Sequence, residues 1–180
     1  PTTPLLLLHG LASSSHMFDL IAPELTARFH VYAVDQRGHG LSEKPVAGYD
    51  FETIARDLDD LMDRLVGDQP PIIVGHSWGA YTTLYYAATR PERFQRAVLL
   101  DGGIRRIADR YPTWDEAQNS MSPPRYKDRS LTDIQTMIRD EWLGDTFRPE
   151  LLPLALSIFD TTNPAAVHAH LANENHMQIA

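Results

Sequence analysis

The sequence predicts an α/β fold: a doubly wound, mostly parallel sheet, four strands of it present, followed by a helical cap insertion. Three observations carry the prediction. Four short apolar runs each end in a glycine-bearing loop, apolar residues recur every three or four positions between them, and after Gly103 the strand-like runs stop. Alternating strand and helix argues for βα units joined by right-handed crossovers.

The first run, Pro4 to Leu8, is uniformly apolar and ends at His9-Gly10, as suits a strand buried on both faces of a parallel sheet. The second, His30 to Val34, ends at Asp35 and the turn-rich Arg37-Gly38-His39-Gly40. The third, Pro71 to Val74, ends at Gly75, and the fourth, Arg96 to Leu100, ends at Asp101-Gly102-Gly103. Helical spacing links Phe18, Ile21 and Leu25 in the first gap, and Ile54, Leu58, Leu61, Met62 and Leu65 in the second. The third gap, Trp78 to Arg90, is rich in Ala, Tyr and Leu and is stopped by Pro91. Beyond Gly103 two helices are expected, over Leu131 to Trp142 and Pro164 to Ile179, with Pro-rich stretches such as Ser122-Pro123-Pro124 between elements. The chain therefore divides into a core, 1–103, and a helical cap or lid, 104–180.

Composition narrows the function classes. With 16 Lys plus Arg against 24 Asp plus Glu among 180 residues, the net charge of -8 repels a phosphate backbone, so nucleic acid is not an expected partner. Cysteine is absent, which removes disulfides, thiolate metal sites and Cys nucleophiles and leans towards the cytoplasm. The run Leu5 to Leu8 is too short for a signal core or a membrane span. Because the sequence opens on Pro1 rather than Met, an upstream segment is expected.

The chemistry is carried by Gly75-His76-Ser77-Trp78-Gly79, standing between a strand and a helix. A strand-to-helix turn this tight leaves no room for side chains two places either side of Ser77, and Gly75 and Gly79 meet that need. The turn lifts the serine oxygen out at the carboxyl edge of the sheet and turns the Trp78 N–H, on the first helical turn, towards the same space. Chance alone puts Gly-X-Ser-X-Gly in roughly one chain in twenty of this size. The flanking elements, and two upstream loops that also follow strand ends, raise its specificity.

The series His9-Gly10, Asp35-Gln-Arg-Gly-His-Gly-Leu-Ser42, Gly75-His-Ser-Trp-Gly79 and Val98-Leu-Leu-Asp101 resembles the α/β-hydrolase superfamily, in its serine-nucleophile branch with a helical cap. The likeness covers residues 4–103 closely and the remainder by position. It implies that the four strands are the family's third to sixth, in spatial order 4-3-5-6, and that the ligand crevice lies between the loop at His9-Gly10-Leu11 and Ser77. It also implies Ser77 as the catalytic nucleophile and the backbone N–H groups of Leu11 and Trp78 as oxyanion donors. His9, Gly10 and His76 shape the turns, and Asp35, Arg37 and His39 form an ion-paired loop bracing the edge.

In the family the acid and base follow in the order Ser, Asp or Glu, His, after two further strands that this sequence does not contain. The acid and base are accordingly expected beyond Ala180, with Asp101 an alternative acid. The natural protein is expected to be longer at both ends, and the isolated chain to be poorly soluble and close to inactive. His168, His170 and His176 read as a solvated surface, since residues two apart on a helix face opposite ways. No metal and no cofactor is expected. Trp114 and Trp142 read as packing or pocket-lining residues.

The expected function is hydrolysis of an ester or related small-molecule acyl compound through a Ser77 acyl-enzyme. The alternatives are carbon–carbon bond hydrolysis, prolyl aminopeptidase action, cofactor-free perhydrolysis, or a non-catalytic ligand receptor on the same fold. Epoxide-opening and halide-releasing members of the family carry Asp where Ser77 stands, which sets them aside here.

Overall fold

The computed structural model describes residues 2–102, 107–113, 115–117, 130, 132–133 and 136. The described elements run β1 (Thr3–Leu8), α1 (Ala22–Leu25), β2 (Phe29–Val34), α2 (Phe51–Leu61), β3 (Ile72–His76), α3 (Trp78–Thr89), β4 (Arg96–Leu100) and α4 (Ile107–Arg110). Most of the expected cap, including the second expected helix, Trp114, Trp142 and the three C-terminal histidines, lies outside the described residues; of the first expected helix, Thr132, Asp133 and Thr136 are described and helical.

The strands form one parallel sheet in the order β2-β1-β3-β4, matching the order the resemblance implied. Leu5 stands between Val31 and Ile72, and Leu8 between Val34 and Gly75. Central placement explains the uniform apolarity of β1, since both of its faces are covered. Leu6 and Leu8 pack with Ile73 against Leu58, Met62 and Tyr86, while Leu5 and Leu7 pack on the opposite face with Phe18. Each of these buried leucines contributes about 2 kcal/mol relative to exposure.

α2 starts at Asp50, whose carboxylate accepts the Thr53 N–H at 2.9 Å, an N-cap that satisfies one of the orphan donors of the first turn. It continues as a π turn over Met62–Val66. Arg90, at the end of α3, ties that helix to α2 by ion pairs to Glu52 at 2.9 Å and Asp59 at 2.7 Å.

Two expectations are corrected. The first gap holds a 3-10 turn, Ser15–Phe18, and the four-residue α1 instead of one continuous helix. Pro23 near the start of α1 cannot donate the hydrogen bond that would join the two. The third strand runs on through Gly75 to His76, so it is Ser77 itself that begins the turn.

Candidate active site

Ser77 lies between β3 and α3 with φ 50° and ψ -112°, a conformation that costs a non-glycine residue roughly 1–3 kcal/mol. Its N–H donates to Leu100 O at 2.8 Å, and its carbonyl accepts from Ala80 and Tyr81 at 3.0 and 3.3 Å. The bend is thus held by β4 on one side and the first turn of α3 on the other. Ser77 remains half-buried while Gly75, Trp78, Gly79 and Ala80 around it are buried.

A Cβ on Gly75 would overlap the Gly79 carbonyl and the Thr83 hydroxyl. A Cβ on Gly79 would overlap Leu8 O and approach His9 O to 2.7 Å. The glycines are therefore required by close approach: α3 starts directly against the end of β1. Thr83 reinforces the contact, donating from Oγ1 to Gly79 O at 2.8 Å.

The loop after β1 rests on this bend. A Cβ added to Gly10 would lie 3.2 Å from Ser77 Cβ and 3.1 Å from His76 Nδ1, so Gly10 is packed against both, and half-buried Leu11 follows it. His76 Nδ1 is buried and has no hydrogen-bond partner among the described residues. Trp78 is 6% exposed and stacks on Phe51 at 4.8 Å.

Two buried histidines tie the β1 loop to the β2 loop. His9 Nδ1 donates to Gly10 O at 2.7 Å, which leaves Nε2 to accept the Gln36 N–H at 3.1 Å. Gln36 Nε2 returns a bond to His9 O at 2.6 Å. Desolvation, aided by neighbouring His39, holds the His9 imidazole down at about 3. His39 likewise donates from Nδ1 to Arg37 O at 3.0 Å and accepts the Ala12 N–H on Nε2 at 3.2 Å. Burial lowers its pKa too. Both imidazoles are neutral and engaged at both nitrogens, so neither serves as a base for Ser77.

The Asp35–Arg37–His39 loop braces the edge, but not by ion pairs within itself. Arg37 forms a bidentate pair with Asp57 of α2 at 2.7 and 2.6 Å. Asp35 instead accepts the N–H groups of Ser15 at 2.7 Å and Leu41 at 2.9 Å. Burial works to raise the Asp35 pKa, and those backbone bonds outweigh it, leaving the carboxyl below its ordinary range. Asp101 is exposed with φ 49°, the geometry of a turn residue. Sequence reasoning missed Gln36, Ala12 and Thr83; an amide-bearing residue directly after the β2 strand run is the one local signal, and it names no partner.

A cavity of about 230 Å³ between β2 and α2 is lined by Gln36, Arg37, Ile54 and Asp57 among others, and a second of about 430 Å³ lies by Gly67 and Pro70. Neither is lined by Ser77. Among the described residues no group of three His, Cys, Asp or Glu side chains could hold a metal, and no helix is long and apolar enough to cross a membrane.

A family model described as the alpha/beta hydrolase fold matches residues 3–156. The soluble epoxide hydrolase of Corynebacterium sp. (strain C12) is 37% identical over 111 residues, 61% of this chain and 38% of that protein. The 2-(acetamidomethylene)succinate hydrolase of Mesorhizobium japonicum is 40% identical over 97 residues, 54% of this chain and 34% of that protein. The chain thus spans little more than a third of the length of these relatives. MenH from S. aureus superposes with a TM-score of 0.82 at 19% identity, covering 100% of this chain and 69% of that one.

Proposed function

Because the chain belongs to the alpha/beta hydrolase fold family, we propose that it is the nucleophile-bearing part of a serine hydrolase acting on an ester or related small-molecule acyl compound. The observation that carries this reading is Ser77 itself, half-buried at φ 50° with Gly10 packed against its side chain. Ser77 Oγ attacks the acyl carbonyl as a histidine from outside the described residues takes its proton. The tetrahedral oxyanion is held by the N–H groups of Leu11 and Trp78. Its collapse expels the alcohol, protonated by the same histidine, and leaves an acyl-serine. Water then attacks that ester and releases the acid and the free hydroxyl. Each oxyanion donor is worth about 3 kcal/mol.

The relative named an epoxide hydrolase does not redirect the assignment. Opening an epoxide with a serine hydroxyl would leave an ether, which water does not readily cleave, whereas a carboxylate nucleophile leaves a hydrolysable ester. A second reading, hydrolysis of an acyl compound other than an ester, is favoured by the 40% identical relative named 2-(acetamidomethylene)succinate hydrolase.

The test is turnover of p-nitrophenyl esters and acyl amides by the full-length protein, with the base that Ser77 requires, and by its Ser77→Ala variant. A serine-dependent rate on esters supports the main reading, and one confined to amides supports the second. Turnover unchanged by Ser77→Ala overturns both, and binding without turnover points to a receptor.

A further inference from the structure

The loop that would supply the second oxyanion donor is strained where it leaves the site. Ala12 has φ 58°, a left-handed conformation costing an alanine about 1–2 kcal/mol. Backbone strain at such a place persists only where surrounding contacts fix it. The Ala12 N–H is met by Nε2 of His39, a side chain 1% exposed whose other nitrogen is committed to Arg37 O. The carbonyl can only accept, so Nδ1 carries the proton and Nε2 presents a lone pair. One residue before Ala12 stands Leu11, and one before that Gly10, packed against Ser77. The Ala12 N–H and the Leu11 carbonyl share one peptide, so rotation of Ala12 out of the left-handed region would turn that peptide and, through the Leu11 backbone, shift the Leu11 N–H one peptide earlier.

We propose that His39 is a positioning residue for the oxyanion donor: its neutral imidazole holds the Ala12 N–H through Nε2, and so fixes the direction of the Leu11 amide over Ser77. The proposal rests on the serine-hydrolase reading above and adds to it the group that sets the donor geometry. His39 does not touch the acyl group and exchanges no proton with it. Gln36 and His9 hold the start of the same loop to the β2 loop, and the two imidazoles lie 5.0 Å apart. The loop is therefore held at both ends from β2, and His39 governs the end nearer the donor.

Two amide substitutions separate this role from simple packing. In His39→Asn the short side chain still reaches Arg37 O and falls short of Ala12, whereas in His39→Gln the longer amide oxygen can accept the Ala12 N–H. Steady-state kinetics on a p-nitrophenyl ester are measured for both in the full-length protein, with circular dichroism recording that each is folded at the assay temperature. His39→Asn is expected to lower kcat by about 10- to 100-fold with KM within about threefold, as misplacement of a catalytic group does. His39→Gln is expected to restore at least tenfold of that loss. Equal activity in the two variants, or a loss confined to KM, overturns the proposal while a Ser77-dependent rate leaves the hydrolase reading standing. A rate indifferent to Ser77→Ala removes the reading and this inference with it. If His39→Asn fails to fold, His39→Ser, which cannot reach Ala12, takes its place; if His39→Gln fails to fold, His39→Glu, whose carboxylate oxygen can accept the Ala12 N–H, takes its place. The same outcomes support or overturn the proposal.

Discussion

Acidification from pH 7.5 to 5 should unfold this chain more readily, and by a calculable amount. His9 is held neutral in the fold, with its pKa pushed from the ordinary 6.5 down to about 3 by burial. Between those values the unfolded chain binds a proton that the folded one refuses, so stability is complete above about pH 6.5 and is lost as pH falls. At pH 5 the loss from His9 alone is about 1.5 pH units at 1.4 kcal/mol each, or about 2 kcal/mol. His39, lowered for the same reason, adds in the same direction. The carboxyls of Asp35, Asp50 and Glu52 are depressed in the fold; their contribution is present above their unfolded values and fails only below about pH 4.5. The window from pH 7.5 to 5 therefore isolates the histidines. Urea denaturation followed by circular dichroism at constant ionic strength should show the midpoint falling by about 1 M at pH 5, for an m value of about 2 kcal/mol/M. A midpoint flat from pH 7.5 to 5, with loss only below pH 4.5, would refute the neutral, buried state of His9.

Three further outcomes are expected. Gly79→Ala, which drives a methyl onto the carbonyls of Leu8 and His9, should lower stability by about 1–3 kcal/mol and reduce hydrolysis, read by urea midpoint and ester turnover. Ser77→Gly should abolish turnover yet raise unfolding stability by about 1 kcal/mol, because the φ of 50° no longer strains the backbone; an unchanged or lower midpoint would count against a strained elbow. Arg90→Met removes charged hydrogen bonds to Glu52 and Asp59 from a side chain 16% exposed and should cost about 2 kcal/mol in the same assay.

The strands were legible because burial on both faces of a parallel sheet demands uninterrupted apolar runs, and Leu5 to Leu8 satisfy that demand on their own. The bend at Ser77 was legible because only glycine tolerates the approach of α3 to the end of β1. The bonds that hold the site together were not, since Gln36 meets His9 and Ala12 meets His39 across 27 residues in each case, and no periodicity encodes such pairs. Arg37 illustrates the same limit: its neighbours Asp35 and His39 suggested a local ion pair, but its partner is Asp57, 20 residues on, because α2 packs beside the loop. The short first helix escaped because Phe18, Ile21 and Leu25 keep helical spacing across a break set by Pro23.

The central claim is that the hydroxyl at position 77 is the reactive group. Incubating the full-length protein with a fluorophosphonate, which phosphonylates activated serines, and mapping the adduct by peptide mass spectrometry tests this directly. The expected result is a single adduct on Ser77, absent after heat denaturation. An adduct on another residue, or none at all in the folded protein, would contradict it.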